Sequence, residues 1–306
     1  MVKHKLSNIV LKIADHMQDY PDVYYRVDST AGGSAQYLDN ECALEISGKV
    51  DFLTYFNSCS VVKWEKYTGI QRVKLHLDLA GDACAIQFVG MSHKDKTPTI
   101  LAEGQRLING TEENGHTIFE LDAPQTDKDI LSFVLQVRGS AKLYDAYYYA
   151  EVEESAINPV KLALSTTTFK KEQYIVPNIE LVKREVLGSD DPVAKAFHMF
   201  VVDNGQTLDA EALSDSGVTV IPNKNVGGAG GFARGMMEAL ASDAGFTHVL
   251  LMDDDVKVSS ESLKRTYNLL ALAQGKYKNA FINGAMLAIE EPNQQFEDVS
   301  FVIKSG

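Results

Sequence analysis

The residues best suited to chemistry in this sequence are three consecutive carboxylates, Asp253, Asp254 and Asp255, which close the apolar run in FTHVLLMDDDVKV. That run reads as a buried strand delivering the triplet to its carboxyl end, and in extended geometry Asp253 and Asp255 point alike while Asp254 points away. Neighbouring carboxylates repel one another. Mg2+ or Mn2+ relieves the repulsion because it takes hard oxygen ligands, which makes Asp253 and Asp255 candidate metal ligands. The same ion would bridge a diphosphate and stabilise the charge that develops on a nucleotide leaving group as its bond to a sugar breaks. A short acidic triplet serves equally well as a solvated turn, and the apolar run before it is what tilts the reading towards a site.

A second segment, NKNVGGAGGFARGM, sets Gly227, Gly228, Gly230, Gly231 and Gly235 around a helix start. Glycine lets backbone approach a ligand closely, and the first turn of a helix offers free N–H groups to an anion. Arg234 would add a charge-assisted contact to phosphate, or else brace its own helix. The spacing is neither a P-loop, which would end in Lys followed by Ser or Thr, nor a GxGxxG dinucleotide fingerprint. A flexible loop ahead of a helix is the plain alternative. Further polar groups cluster after two other apolar runs: Thr166, Thr167, Thr168, Phe169 and Lys171, then Asp203 and Asn204. Hydroxyls and carboxylates at strand ends can bind ribose and base edges, although Phe169 also suits a core and Asp203–Asn204–Gly205 also suits a turn.

These groups need a scaffold that brings strand ends together. From about residue 160 the pattern alternates, with an apolar strand at 160–165, then FHMFVVDNG, GVTVIPN and THVLLMDDD, separated by the helical stretches NIELVKREVLG and FARGMMEALASDAG. That order predicts a parallel sheet with active loops at its carboxyl ends. The preceding half differs. QRVKLHLDLAG, ACAIQFVG, ILSFVLQVRG and KLYDAYYYAEV alternate apolar and polar positions, which predicts an antiparallel β-sandwich over roughly 20–155, with a tight turn at Gly139–Ser140. The expected domains are 1–158 and 159–306.

Composition sets the limits. The 306 residues are 45% hydrophobic, enough for two cores, and the net charge of −13 argues against nucleic acid as a partner. Three cysteines, Cys42, Cys59 and Cys84, in no metal-like spacing favour a reducing, cytoplasmic setting. The sequence shows neither a secretion signal nor an apolar run of spanning length. Peripheral attachment to the inner face of a membrane stays open.

In this order, TTTFKK, VVDNG, NVGGAGGFARG and LLMDDDV resemble a family 2 glycosyltransferase with a GT-A fold, particularly the bacterial galactofuranosyltransferase group; the preceding β-rich half strengthens the likeness. The resemblance implies a multidomain protein whose second half is a partial GT-A nucleotide-sugar-binding domain. It implies a uridine diphosphate sugar as donor, a carbohydrate acceptor and an inverting, Mg2+- or Mn2+-dependent transfer. Carried over by residue, Thr167, Phe169 and Asp203 would contact base and ribose, and Asn225, Gly227 and Gly228 would lie near the donor with Arg234. Asp253 would approach ribose or metal-bound phosphate, Asp255 would be the clearest metal ligand, and Asp254 would position acceptor or sugar. Asn283, Gly284, Ala285 and Met286 in FINGAMLAIEEP match the segment that shapes the sugar and acceptor pocket. The family's general base and acceptor half follow the acidic motif, whereas 51 residues follow Asp255 here, so a C-terminally truncated catalytic domain with an unknown base is expected. Glu290, Glu291, Glu297 and Asp298 have suitable chemistry but are more naturally surface residues.

Two other functions compete. Trp64 and Tyr147, Tyr148 and Tyr149 could form a sugar platform in a carbohydrate-binding or assembly module that carries an inactive α/β half, or they could be core. A nucleotidyltransferase would use a similar nucleotide edge and metal centre.

Overall fold

The computed structural model describes residues 1–102, 104–107 and 110–297. They divide into two compact units, Met1–Ala156 with the described residues from Leu272 onward, and Ile157–Ala271. The segment from Leu272 that the sequence assigned to the second domain thus groups with the first unit. There Gln274 N–H donates to the carbonyl of Tyr67, and the rings of Tyr67 and Tyr277 meet edge to face at 4.9 Å.

In the first unit the principal strands are β1 (Val2–Asn8), β2 (Ala43–Asp51), β3 (Lys74–Gly81), β4 (Cys84–Met91), β5 (His116–Asp122) and β6 (Ile130–Val152), with a helix, α1 (Val61–Thr68), between β2 and β3. All are antiparallel to their partners, as the alternating sequence predicts. The expected turn at Gly139–Ser140 does not exist. β6 runs through it as one 23-residue strand, paired on one side with β4 and then β3, and on the other with β2 and then β1. Gly139, at φ +98°, supplies a bend, and the register against β2 slips between Val137 and Ala141. A glycine inside a strand marks a bulge as readily as a turn. Asp82 secures the bend: its N–H donates to the Ser140 carbonyl, and its carboxylate accepts from the Ser140 N–H at 3.0 Å. Through β6 the strands of this unit are hydrogen-bonded into one eleven-stranded sheet.

The second unit has four strands, β7 (Leu162–Thr168), β8 (Phe197–Asp203), β9 (Val218–Pro222) and β10 (His248–Asp253), all parallel in the order β9-β8-β7-β10. The chain steps outward from β7 to β9 and then returns to the other side of β7, which makes the β7/β10 boundary the switch point where α/β sheets bind ligands. Both faces are covered, so β7 and β8 are apolar at consecutive positions. Leu162, Leu164, Met199 and Val201 pack with Ile175, Ile179 and Val182 of the helix that opens as α2 (Glu172–Leu181), and with Leu263 and Leu270 of a later helix (Ser260–Leu272). On the other face Ala163, Phe200, Val202 and Ile221 pack with Ala239 of α3 (Gly227–Ala241).

α3 lies unusually close to β7. A Cβ at Gly231 would fall onto the Thr167 side chain, and one at Gly235 onto that of Ser165. These two glycines serve packing rather than ligand access. Gly235→Ala should lower unfolding stability by about 1–3 kcal/mol through overpacking, whereas Gly228→Ala, facing open space, should cost far less. Denaturant melts of the two variants check this.

Candidate functional site

The carboxyl edge of the parallel sheet gathers most of the polar residues singled out above. Thr167 pairs across β7 and β10 with Asp253, and Thr168 pairs across β7 and β8 with Asp203, so three strand ends lie side by side. At the centre Thr167 accepts a hydrogen bond from Asn204 Nδ2 at 3.3 Å. Asn204 is buried; the same Nδ2 donates to the Gly227 carbonyl at 3.1 Å, and its Oδ1 accepts from Asn223 at 2.8 Å. One side chain thus ties the ends of β7 and β9 to the start of α3.

The acidic triplet departs from the extended geometry expected of it. β10 stops at Asp253, and Asp254 and Asp255 turn away from the strand direction. Lys171, just before α2, reaches both of the turned carboxylates, with Nζ 2.7 Å from Asp255 Oδ2 and 3.4 Å from Asp254 Oδ1. Asp254 is buried, whereas Asp253 and Asp255 are exposed. The run before the triplet is not fully buried either: Val249 and Leu251 are 37% and 52% exposed, because β10 is the last strand of the described sheet and one side of its alternation is open. The loop after Asp255 is pinned by Asn178 of α2, which donates to the Val256 carbonyl at 2.7 Å and accepts from the Val258 N–H at 3.3 Å. Asn178 was readable in principle, since it lies at helical spacing among Ile175, Ile179 and Val182, where a polar residue must find a partner.

Other expected contacts take different roles. Asp203 is fully buried and accepts from the N–H groups of Gly205, Thr207 and Leu208 at 2.7–2.9 Å, so its carboxylate organises the following loop rather than facing a ribose. Phe169 is 46% exposed and not core, with Lys170 Nζ 5.3 Å from its ring centre, which leaves an aromatic face at the sheet edge. Asn225 accepts from the Gly227 N–H at 3.1 Å and so closes the turn into α3. Gly227 needs to be glycine for its φ of +74°, and it and Gly228 border open space. Arg234 is engaged with Glu238 one turn along α3, at 2.6 Å, the helix-bracing alternative.

Asn283, Gly284, Ala285 and Met286 are exposed and belong to the first unit. Glu290 and Glu291 are exposed too, while Asp298 and the side chain of Glu297 lie outside the described residues. Trp64, Tyr148 and Tyr149 are at most 8% exposed, and Tyr147 stacks on His76 at 4.4 Å, so they form no open sugar platform. All three cysteines are free thiols, and among the described residues no helix is long and apolar enough to cross a membrane.

The hydrogen bond from Lys171 holds the Asp255 carboxyl below the ordinary carboxylate range, and the same bond raises the lysine. A depressed carboxyl contributes above its unfolded value and loses that contribution as pH falls through its folded value. A raised lysine contributes below its unfolded value and loses it as pH rises through its folded value. The ion pair is therefore intact across neutral pH. In a carboxyl NMR titration Asp255 should protonate at lower pH than a free aspartate, and Lys171→Met should return its midpoint to the ordinary range.

No family model matches the chain. It is 25% identical over 303 residues to the galactofuranosyltransferase GlfT2 of Mycolicibacterium smegmatis, a match that covers 94% of this chain and 44% of that protein. It is 24% identical over 302 residues to GlfT2 of Mycobacterium tuberculosis, covering 94% and 45%. The chain spans less than half the length of these relatives. Among solved structures, a point variant of a family 29 carbohydrate-binding module aligns at 10% identity with a TM-score of 0.28 over 52% of this chain and all of that one, a likeness too slight to bear on fold or function. Nearly the whole chain is thus distantly similar to galactofuranosyltransferases.

Proposed function

We propose that this chain supplies the donor-binding portion of an inverting glycosyltransferase of GT-A type, which moves a sugar from a uridine diphosphate sugar to a glycan hydroxyl, with galactofuranose as the first sugar to test. The observation that carries the reading is the acidic turn at the switch point of the parallel sheet, beside the Thr167–Asn204–Gly227 network at the opening of α3. The similarity of 94% of this chain to less than half the length of two galactofuranosyltransferases supports it as well. The three free thiols fit a cytoplasmic setting.

The donor set fits a divalent ion in one way only. Among the described residues no group of three or more His, Cys, Asp and Glu side chains is placed to hold a metal. Asp253 and Asp255 offer hard oxygens but too few to enclose an ion. That suits Mg2+ or Mn2+, which binds through one or two carboxylates and completes its shell with substrate phosphates and water. When bound, the ion would supply positive charge to the departing diphosphate. The remaining work falls to the chain. Thr167 and the open start of α3 would orient the nucleotide, and Phe169 would offer a stacking face for the base. Buried Asp254, fixed by the turn, would hold sugar or acceptor in line, and a base from elsewhere would take the acceptor proton.

Incubation with UDP-galactofuranose and other UDP-sugars, Mg2+ or Mn2+ and a panel of glycan acceptors should release UDP and add one sugar mass to the acceptor. Release of inorganic diphosphate from a nucleoside triphosphate and a sugar phosphate would instead establish nucleotidyl transfer. Asp255→Ala should remove metal-supported UDP affinity, a loss on the order of 100-fold by calorimetry, with the thermal melt little changed.

A further inference from the structure

Lys171 is placed as the counter-ion of the acidic turn. Three carboxylates stand together at 253–255, and its ammonium contacts two of them, on Asp254 and Asp255. The two contacts are not alike. Asp254 has a side chain only 10% exposed, so its charge is held within the protein and needs a nearby cation. The Asp255 side chain is 49% exposed and that of Lys171 41%, so the shorter of the two contacts is also the one open to water. An ion pair in such a setting is weak and readily exchanged. Lys170, at φ +55°, turns the backbone sharply between β7 and α2, and this sets Lys171 facing the end of β10. From there its flexible four-carbon stem can follow a new anion without any shift of the main chain.

Resting on the reading of the site as a metal-assisted donor site, we propose that Lys171 couples the binding of donor and divalent ion by occupying Asp255 until a diphosphate arrives. In the free protein the ammonium and the ion compete for one carboxylate, so the ion alone binds weakly. A diphosphate entering beside the turn gives the ammonium another anionic partner and gives the ion additional oxygens. The two ligands then strengthen one another, and by linkage the factor is the same whichever binds first. Lys171 is a positioning residue in this scheme, acting on Asp255 rather than on the reacting atoms.

The test is a Mn2+ titration, with free ion read by electron paramagnetic resonance, on the whole chain with and without UDP. Wild type should bind Mn2+ weakly alone and about 5–150-fold more tightly with saturating UDP, the usual range of such couplings. Lys171→Met should bind Mn2+ alone at least about fivefold more tightly than wild type, and its UDP enhancement should fall by a similar factor, leaving only the part that the diphosphate oxygens supply. Lys171→Arg, which keeps the charge, should retain most of the coupling, and Asp255→Asn should lose Mn2+ binding in both conditions. Circular dichroism melts establish that each variant is folded. The proposal is overturned if folded Lys171→Met binds Mn2+ alone no more tightly than wild type, or keeps the full UDP enhancement. Absence of Mn2+ binding by wild type even with UDP would overturn the metal-assisted reading as well, a result distinct from a failure confined to Lys171.

Discussion

The geometry of the parallel unit depends on how closely α3 can approach β7. With Gly231 against Thr167 and Gly235 against Ser165, the helix lies on the strand with no side chain of its own between them at these two positions. That distance determines where α3 begins. It brings the Gly227 carbonyl within reach of Asn204, and Asn204 in turn reaches Thr167 and Asn223. Larger residues at 231 and 235 would lift the helix, and the hydrogen bonds that join three elements at the sheet edge would lengthen together. Packing on one face of the sheet and order at its carboxyl end are in this sense a single constraint.

The acidic turn answers a different demand. A buried carboxylate such as Asp254 needs compensation, and the chain supplies it from the opposite side of the switch point through Lys171. Asn178 fixes the loop beyond the turn from the same helical element that Lys171 introduces. Residues 171–178 therefore act as a bracket that holds the triplet in position, while Asp253 and the exposed carboxylate of Asp255 keep faces open to solvent.

Much of this was legible in the sequence where one force dominates. The parallel strands announce themselves as apolar runs ending in polar residues, because burial on both faces leaves only the ends for polar groups. Residues whose role depends on long-range partners were harder to place. Nothing local distinguishes an Asp203 that faces a ligand from one that accepts three loop N–H groups, or an Arg234 aimed at phosphate from one paired to Glu238. Phe169 is apolar by composition but exposed by position. Gly139 misled for a clearer reason: the same freedom that closes a hairpin also bends a continuous strand, and only the pairing of β3 and β4 end to end along β6 decides between them.

That long strand also bears on how the protein is made. β1, β2, β3 and β4 all pair with β6, and the partner of Val2 is Val152. During synthesis at ~5–20 residues per second, β2 waits on the order of ten seconds for its partner to leave the ribosome. Until then the edges of these strands that will face β6 are unpaired, the state in which β-rich chains are prone to associate with one another. Closure of this antiparallel sheet is thus timed by the emergence of a single segment, and β1, the earliest of these strands to be translated, is among the last of them to be secured.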